Sequence, residues 1–525
     1  MTERFLFIVK MRLFVYFFVA ICALPFYDAA NILGVFPLPG KSHFVMFERL
    51  MKRLAEKGHN VDVATHFPSK EVPEGYNQLS LVGSLPIMVS NLSINIFDGF
   101  SHYDMVHFMT KICGVDACAA TLQTPVLQNL KTTKKKYDLL VTEIFGSDCM
   151  LGFGHMFNIP TVSLVSSIPL PWATDRIGNP DNPSYIPNYF VPSSARMSLF
   201  ERLENTLILL KSKYLYSHFS SKESNQIARE FFGPDIPTLE DLALNTSLIL
   251  FNSHFSINNA RPAVPNFIEV GGLHITEPKP LSKYFENLLT SNTKGIIYLT
   301  MGSMIMTETF DPDKLQGLFD AFAELPYKVL WKANRERFPK GLTIPKNIHF
   351  ENWMPQIDIL CHPNVKLFVS HGGLMGSQEA VYCGVPRLGI PLFADQVNNI
   401  RAAEKMGLAV KVEYKEINKQ TILTAARKLL EDPKYKQNSE QASKEFKDRP
   451  LSPLDTAVFW VEYVIRHNGA PQLRIVGADL PWYQYYLVDV AIILFISFFA
   501  FLTVLVFITK FIIRFIYDGR KEKHD

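Results

Sequence analysis

The first part of the chain alternates short apolar runs with stretches of helical periodicity. Residues 31–36 (NILGVF) form an apolar run, and apolar side chains then recur every three or four positions from Phe44 to Leu54. Gly58 stands where a glycine commonly follows a helix, and residues 61–65 form the next apolar run. A strand, a helix and a second strand in this order predict a βαβ unit and therefore a parallel sheet.

The same pattern begins again after residues 266–280, where adjacent glycines and two prolines indicate a linker. Further strands are predicted before the linker at 137–142 and 160–165, and after it at 295–301, 328–331, 348–353, 365–369 and 387–390.

These elements predict an α/β fold with two doubly wound Rossmann-like domains, at 31–270 and 271–480, which face each other across a cleft. Ligands of such sheets bind beyond the carboxyl ends of the strands. We therefore expect the functional residues to lie along the cleft.

The C-terminal region has the pattern of a membrane span. Residues 490–509 carry no charge, and as a helix they would cover about 30 Å, the thickness of a bilayer core. Aromatic residues crowd positions 482–486, and basic residues follow the apolar run. We predict a transmembrane helix at 487–509 and, because positive residues stay cytosolic, a cytosolic tail at 510–525.

The N-terminus predicts a signal peptide over residues 1–30, with basic residues before an apolar stretch at 13–24 and small residues at its end. A buried first strand is the alternative. The last five residues, KEKHD, resemble a retrieval signal of the endoplasmic reticulum. Together these ends predict a single-pass type I protein of that membrane with a lumenal body, which the sequons at Asn91 and Asn245 fit.

Composition narrows the function classes. The chain has 525 residues, 48% of them hydrophobic, and a net charge of only +3. This charge is too small to indicate a nucleic-acid-binding protein. Its six cysteines show no metal-ligand spacing, and we expect no disulfide framework. Cys22 would leave with the signal peptide; Cys113 and Cys118 could pair, although free buried thiols are the more usual arrangement.

The most informative stretch lies between Trp353 and Gln396. A buried strand that ends with Phe368-Val369-Ser370 is followed by His371 and two glycines at the start of a helix, whose free N–H groups and dipole suit a phosphate. Further along, the carboxylate of Glu379 could accept hydrogen bonds from ribose hydroxyls, and Trp353 offers a flat face to a base. Asp395 and Gln396 add groups that bind hydroxyls.

This stretch, with its HGG turn, its Glu, its two prolines and its final Asp-Gln, resembles the donor signature of the UDP-glycosyltransferase superfamily, in particular its insect-like membrane-bound branch. The resemblance covers 31–525 and implies a GT-B fold. It implies uracil, nucleoside, diphosphate, ribose and sugar contacts by Ser303, Trp353, Gln356, His371, Gly373, Gly376, Glu379, Asp395, Gln396 and, less directly, Asn399.

The same resemblance implies the catalytic groups of the first domain. The segment around GKSHF matches the family's first βαβ unit, in which the histidine equivalent to His43 is the general base. An acid following the strand at 137–142 would orient it. Both Glu143 and Asp148 are candidates, and we favour Asp148. The implied reaction inverts the anomeric configuration and needs no metal or other cofactor.

Two positions depart from the family pattern. Arg387 stands where an apolar residue is usual and could alter packing or donor choice, and Gly376 replaces a residue that often contacts the pyrophosphate. UDP-glucose is the expected donor because insect-like relatives use it. UDP-glucuronate is the alternative, with Arg387 as a partner for its carboxylate.

The resemblance therefore implies transfer of a hexose to hydroxyl groups of small lipophilic acceptors, in detoxification or metabolite conjugation. Apolar residues at 81–124 and 168–192 are expected to line the acceptor pocket. A catalytically silent lumenal binding protein is the rival hypothesis. A Rossmann oxidoreductase is disfavoured, because this chain lacks the glycine fingerprint that such an enzyme carries after its first strand. The expected partners are the UDP-sugar, the acceptor and the bilayer, without nucleic acid, and a homo-oligomer is left open.

Overall fold

A computed structural model describes residues 29–97, 99–191 and 196–521. The predicted signal peptide, apart from residues 29 and 30, and the predicted retrieval signal, apart from residue 521, lie outside the described residues.

The chain forms thirteen strands in its described ranges. They are β1 (Asn31–Val35), β2 (Asn60–Thr65), β3 (Tyr76–Ser80), β4 (Leu139–Glu143), β5 (Thr161–Val165), β6 (Leu248–Phe251), β7 (Phe267–Glu269), β8 (Ile296–Thr300), β9 (Lys328–Lys332), β10 (Ile348–Glu351), β11 (Val365–Ser370), β12 (Arg387–Gly389) and β13 (Ala409–Lys411).

Helices cover both faces of the sheets. They are α1 (Lys41–Glu56), α2 (His102–His107), α3 (Ala117–Leu122), α4 (Pro125–Leu130), α5 (Leu151–Phe157), α6 (Leu199–Tyr216), α7 (Lys222–Phe232), α8 (Leu239–Leu244), α9 (Phe255–Asn258), α10 (Lys283–Thr290), α11 (Pro312–Ala323), α12 (Gln356–Leu360), α13 (Leu374–Tyr382), α14 (Gln396–Lys405), α15 (Lys419–Glu431), α16 (Pro433–Lys447), α17 (Pro453–Arg466), α18 (Trp482–Tyr485) and α19 (Val488–Lys521). Two π-helical segments, Phe108–Asp116 and Ser217–Ser221, continue α2 and α6.

The strands form two parallel sheets. The first has the order β3-β2-β1-β4-β5-β6-β7 and the second the order β10-β9-β8-β11-β12-β13. Strands such as β4, β5, β6 and β8 are buried along their whole length, as expected for parallel strands covered by helices on both faces. The predicted fold of two doubly wound α/β domains is thereby confirmed.

The register of the strands sets the position of the cleft. In the first sheet Val35 of β1 pairs with Thr142 of β4, and in the second Ser370 of β11 pairs with Thr300 of β8. The loops that follow these strands therefore begin side by side at the carboxyl edge of each sheet.

The C-terminal limit of the second domain differs from the expected residue 480. Helix α17 packs on α1, and its side chains Ala457, Val458, Val461 and Val464 belong to the core that also contains β1 and β4 of the first domain. The chain thus returns to the first domain before it reaches the apolar C-terminal helix, since an amphipathic helix is stable wherever its apolar face finds a core.

Two disulfides contradict the expectation that the cysteines form no framework. Cys118 bonds to Cys149 in the first domain, and Cys361 bonds to Cys383 in the second. Cys113, the other candidate partner of Cys118, is a buried free thiol. The pairings join residues 31 and 22 positions apart, which are neighbours only in the folded chain.

Helix α19 fits a single-pass membrane anchor. Residues Val488–Tyr517 have a mean hydropathy of 3.0 in their most apolar window, and none of that window is buried against the rest of the protein. The helix is longer than the predicted span at 487–509, because the apolar pattern continues past Lys510 as far as Tyr517.

Candidate active site

His43 lies at the carboxyl edge of the first sheet. It belongs to the first turn of α1, which follows β1 after a short loop, and its Nδ1 lies 2.6 Å from Oε1 of Glu143. Glu143 is the last residue of β4, the strand that pairs with β1. The register of the two strands therefore places this carboxylate beside the imidazole.

Ser166 completes this group, and the sequence analysis did not find it. Its hydroxyl donates to Glu143 Oε1 over 2.9 Å and lies 2.8 Å from His43 Nδ1. It directly follows β5, the strand beside β4. A polar residue after a neighbouring buried strand was the available signal, but a single serine is too common to stand out.

The preference for Asp148 as the acid that orients His43 is wrong, because the structure places Asp148 elsewhere. Both carboxylate oxygens accept hydrogen bonds from the buried guanidinium of Arg176, and Tyr216 Oη donates to Asp148 over 2.7 Å. Asp148 lies outside the strand, in the loop before α5. Glu143, the other candidate, is the one that contacts His43.

Helix α13 begins at the position where the sequence predicts a phosphate site in the second domain. Gly373 precedes its first residue, and His371 lies just beyond β11 with a buried Nδ1 that has no hydrogen-bond partner. Burial, with a smaller effect of the Lys332 ammonium group, lowers the pKa of His371 to about 4. The imidazole is therefore neutral at physiological pH and keeps a polar group free for a ligand.

Lys332 is a second feature that the sequence analysis missed. It ends β9, and its Nζ donates to the carbonyl of Gly302 over 3.0 Å, in the turn that also contains Ser303. Burial lowers the pKa of this lysine, while Glu308 opposes the shift. Lys332 thus adds a cation beside the groups expected to hold the diphosphate.

Two glycines, Gly302 and Gly373, leave the space that the His371 ring needs. A Cβ on Gly302 would come within 2.6 Å of His371 Cε1, and one on Gly373 within 2.6 Å of His371 Nε2. Gly302 also has a φ of +83°, which disfavours other residues. Gly376 is different, because the nearest atom to its Cβ would be Gln356 Nε2, at 3.4 Å, followed by the Phe368 ring at 3.7 Å.

The expected nucleoside groups lie on the next part of the same edge. The Trp353 side chain follows β10 and is 68% exposed, so that its face is open for stacking. Gln356 Nε2 donates to Glu379 Oε2 over 2.5 Å. His274, which the sequence analysis did not single out, is buried with Nε2 3.5 Å from the other carboxylate oxygen of Glu379.

The expected sugar-binding residues begin α14. Asn399 Nδ2 donates to the Asp395 carboxylate and to the Gly372 carbonyl, so this side chain shapes the turn. Gln396 Oε1 accepts from the backbone N–H groups of Leu392 and Phe393, and it is therefore occupied by the loop before the helix.

Asp395 faces the first domain. Burial raises its pKa, while the hydrogen bond from Asn399 and the nearby His43 lower it in part. His43 and Asp395 come from different domains, so their electrostatic interaction acts across the cleft. The structure thus brings the expected base next to the expected sugar site.

Arg387 is not on the cleft. Its side chain is buried, and its guanidinium donates to the Ser377 carbonyl over 3.3 Å. Burial lowers its pKa to about 10. This geometry removes it as the partner of a sugar carboxylate and leaves a role in packing.

A buried amide network connects the two domains behind the site. Asn252 Nδ2 donates to the Ser166 carbonyl, and Gln378 Nε2 donates to the Asn252 carbonyl. Gln378 Oε1 accepts from Gly272 N–H in the linker. Gln378 lies on α13, next to Glu379, so the network joins the surroundings of the base to the donor helix.

An apolar pocket lies beside Glu143 in the first domain. Leu38, Phe145 and Met150 line it, together with Cys113 and the disulfide of Cys118 and Cys149. The Phe145 ring meets His43 edge-on at 4.8 Å between centroids. Of the two stretches expected to line an acceptor pocket, residues 81–124 contribute here, and 168–192 contribute to a second cavity with Arg261.

Comparison with known proteins gives consistent results. The family described as "UDP-glucoronosyl and UDP-glucosyl transferase" matches residues 40–524. Two proteins of Dactylopius coccus are similar: UDP-glycosyltransferase UGT5, 41% identical over 94% of this chain and 91% of its own, and UDP-glucosyltransferase 2, 39% identical over 94% and 96%. Human UDP-glucuronosyltransferase 2B15 is 30% identical over 92% of this chain and 94% of its own.

Solved structures are similar in fold. The structure of a UDP-glucose: anthocyanidin 3-O-glucosyltransferase in complex with UDP matches with a TM-score of 0.55 and 16% identity, covering 83% of this chain and 99% of its own. A glycotransferase of kitacinnamycin matches with a TM-score of 0.53 and 15% identity over the same shares. Both are glycosyltransferases of the GT-B architecture, and the two parallel-sheet α/β domains of this chain have the same architecture.

Proposed function

The chain belongs to the UDP-glucuronosyl and UDP-glucosyl transferase family and is a UDP-glycosyltransferase; on that premise we propose that it transfers glucose to hydroxyl groups of small lipophilic acceptors. The observation that carries this proposal is the group of His43, Glu143 and Ser166, which faces Asp395 across the cleft.

The proposed chemistry assigns the proton transfer to His43. With Nδ1 held by Glu143, the other ring nitrogen takes the proton of an acceptor hydroxyl while that oxygen attacks the anomeric carbon. The carboxylate stabilises the imidazolium that results. Attack from the face opposite to the diphosphate inverts the anomeric configuration. A general base of this kind contributes about 10²- to 10⁴-fold to the rate.

The departing UDP receives its stabilisation from the second domain. The N-terminus of α13, the neutral His371 and the ammonium group of Lys332 all lie where negative charge develops on the leaving diphosphate. Trp353 stacks on uracil, and Glu379, held by Gln356, accepts from the ribose hydroxyls. No metal is needed in this proposal.

Glucose is the proposed sugar for two reasons. A relative that is 39% identical is named a UDP-glucosyltransferase. In addition, Arg387, the cation considered for a glucuronate carboxylate, is buried and engaged with Ser377, whereas the sugar side of the cleft presents the Asp395 carboxylate. A second carboxylate would be unfavourable there.

The acceptor is proposed to be a small lipophilic alcohol or phenol. The pocket beside Glu143 is lined by apolar side chains and lies within reach of His43. An apolar lining of this kind suits the body of a lipophilic acceptor and leaves its hydroxyl as the polar group nearest the base.

We further propose that the body lies in the lumen of the endoplasmic reticulum, anchored by α19. Asn91 and Asn245 are both exposed, so oligosaccharides could be attached without disturbing the core. Replacing either asparagine by Gln should remove one oligosaccharide, and with it one step of the shift in gel mobility that endoglycosidase digestion produces. A chain that shows no shift at either position, and is digested by protease outside sealed microsomes, would contradict the orientation.

UDP release by microsomes that express the full chain tests the function. UDP-glucose or UDP-glucuronate is supplied with a mixture of phenols, with and without EDTA, for the natural chain, for His43→Ala and for the exposed-histidine control His155→Ala. We expect acceptor-dependent release with UDP-glucose in the natural chain and the control, unaffected by EDTA, and loss in His43→Ala with UDP binding retained.

Other outcomes separate the alternatives. Preference for UDP-glucuronate would replace the donor assignment but keep the site. Activity that survives in His43→Ala would refute the base assignment. Binding of UDP without release from either donor would favour a lumenal binding protein.

A further inference from the structure

Helix α6 exposes an apolar face of unusual size. Six of its side chains are between 54% and 80% exposed, namely Leu199, Phe200, Leu203, Leu207, Leu210 and Tyr214. At 100° per residue they fall within an arc of about 100°. We call these six side chains the α6 apolar face. Contiguous exposed apolar surfaces of this kind mark interaction sites.

The opposite face of the helix is firmly packed, so the exposure is not the result of a loosely attached element. Asn205 is fully buried, and its Nδ2 donates to the carbonyls of Pro183 and Ile186, each over 2.8 Å. Ser212 is also buried, and its hydroxyl lies 2.9 Å from His102 of α2. These polar contacts, together with the buried Leu209 and Leu215, hold α6 with the α6 apolar face directed outward.

The C-terminal end of α6 lies at the root of the membrane anchor. Lys213 pairs with Asp175 over 2.7 Å, in a 3₁₀ turn that ends at Gly178. The Gly178 carbonyl accepts a hydrogen bond from Tyr485, three residues before α19 begins. A Cβ on Gly178 would also lie 2.8 Å from the backbone of Ala478, so this turn is in close contact with the segment that leads to the span.

Exposed side chains continue from the α6 apolar face toward the anchor. Trp482, Tyr486 and Leu487 are between 61% and 69% exposed just before α19. Tryptophan and tyrosine at this position are typical of the interface between headgroups and acyl chains. The exposed apolar surface and the membrane helix therefore occupy the same end of the molecule.

We infer that the α6 apolar face rests in the bilayer surface, in the leaflet from which α19 emerges. A helix of 18 residues lying flat would cover about 27 Å of the interface, with its apolar side chains about 5–10 Å below the headgroups. A second copy of the chain could also cover leucines, but the contacts through Asp175 and Gly178 tie this face to the anchor.

The test uses the full chain, reconstituted in phosphatidylcholine vesicles, with one added cysteine that carries an environment-sensitive fluorophore. Leu207→Cys reports on the α6 apolar face, Ile496→Cys on the span, and Gln441→Cys on an exposed position of α16. Cys113 is buried and the unsubstituted chain serves as the blank. Each label is quenched by a doxyl lipid or by aqueous iodide.

We expect the label at Leu207 to be quenched several-fold more by the doxyl lipid, and several-fold less by iodide, than the label at Gln441. In a Leu203→Glu, Leu210→Glu background these differences should disappear, while Ile496→Cys remains quenched by the lipid. Both glutamates replace exposed side chains, so folding is not compromised.

Three results would overturn the inference. Iodide could quench Leu207→Cys and Gln441→Cys equally while the span label remains in lipid. Leu207→Cys could be shielded from both quenchers and cross-link to a second copy, which would make this face a dimer interface. A span label open to iodide would refute the anchor itself and, with it, the α6 contact. The proposed function is tested separately, by UDP-sugar turnover in detergent, and none of these three results bears on it.

Discussion

Two carboxylates lie at and just beyond the end of β4, and their surroundings differ. Glu143 closes the strand and accepts from Ser166 beside the His43 imidazole. Asp148 neutralises the buried guanidinium of Arg176. The first arrangement suits the orientation of the proposed base, whereas the second stabilises a buried ion pair in a loop.

Replacing each acid should therefore have a different result. Glu143→Gln should lower kcat by about 10²- to 10⁴-fold with little change in unfolding temperature, because the imidazolium loses its counter-charge. Asp148→Ala should destabilise the protein by about 3 kcal/mol, because a buried arginine loses its partner. Turnover and thermal unfolding of both variants check this, and an Asp148→Ala protein that is stable but inactive would restore Asp148 as the partner of the base.

His371 carries a second prediction at the residue scale, on pH. Its pKa of about 4 in the folded chain lies below the ordinary value of 6.5, so the unfolded chain binds more protons between these values. Stability that is present above pH 6.5 should fall as the pH drops toward 4, by up to about 1 kcal/mol per pH unit for this group. Burial gives His102 and His254 the same direction.

The pH profile of unfolding, measured for the natural chain and for His371→Asn, isolates this contribution. The variant should lose less stability on acidification. Identical slopes between pH 6.5 and 4 would show that His371 titrates normally in the folded protein.

At the scale of elements, the start of α13 depends on how closely the backbone approaches His371. A Cβ at Gly302 or Gly373 would clash with the His371 ring, whereas a Cβ at Gly376 would not reach it. In the proposed function, diphosphate binding at the N-terminus of this helix requires the imidazole to stay between the two glycines.

Alanine and serine substitutions in α13 test this spacing. Gly373→Ala should weaken UDP binding by about 10- to 100-fold, because the new methyl group displaces His371 from a low-energy rotamer. Gly376→Ser should change it by less than about threefold, since its Cβ meets Gln356 at an ordinary distance. Calorimetric titration with UDP measures both, and equal effects would contradict the proposed role of the ring.

At the scale of the molecule, the domains are joined by more than the linker. Gln378 of the second domain donates a hydrogen bond to the carbonyl of Asn252 in the first domain and accepts one from the N–H of Gly272 in the linker. The Gln378 and Asn252 side chains are both buried. Buried amides of this kind are costly to leave unpaired, so the network fixes how the two sheets face each other.

Gln378→Leu should destabilise the protein by about 1–3 kcal/mol, because it leaves the Asn252 carbonyl unpaired and leaves the Gly272 N–H only its longer hydrogen bond, of 3.4 Å, to Asn252 Oδ1. The exposed control Gln441→Leu should remain within about 0.5 kcal/mol of the natural chain. Denaturant unfolding and limited proteolysis near residue 272 measure both variants. A Gln378→Leu protein with unchanged stability and an uncut linker would show that the network does not stabilise the domain arrangement.

The sequence by itself determined the two sheets, most of their strands, the apolar C-terminal helix and the family. Strand and helix periods are local, and residues 353–396 contain the expected donor groups from Trp353 to Gln396 within one continuous segment. These groups lie in three βα turns at the carboxyl edge of one sheet. The turns after β11 and β12 belong to adjacent strands, whereas β10 lies at the edge of the sheet and its turn reaches the others through the hydrogen bond of Gln356 to Glu379.

Only the tertiary structure decided which groups meet from distant positions. Glu143 rather than Asp148 lies beside His43 because β4 pairs with β1, and Ser166 joins them because β5 pairs with β4. The pairing of Cys118 with Cys149, the return of α17 to the first domain and the isolation of Arg387 from the cleft have the same origin. Each depends on lateral packing, and periodicity along the chain carries no information about which elements become lateral neighbours.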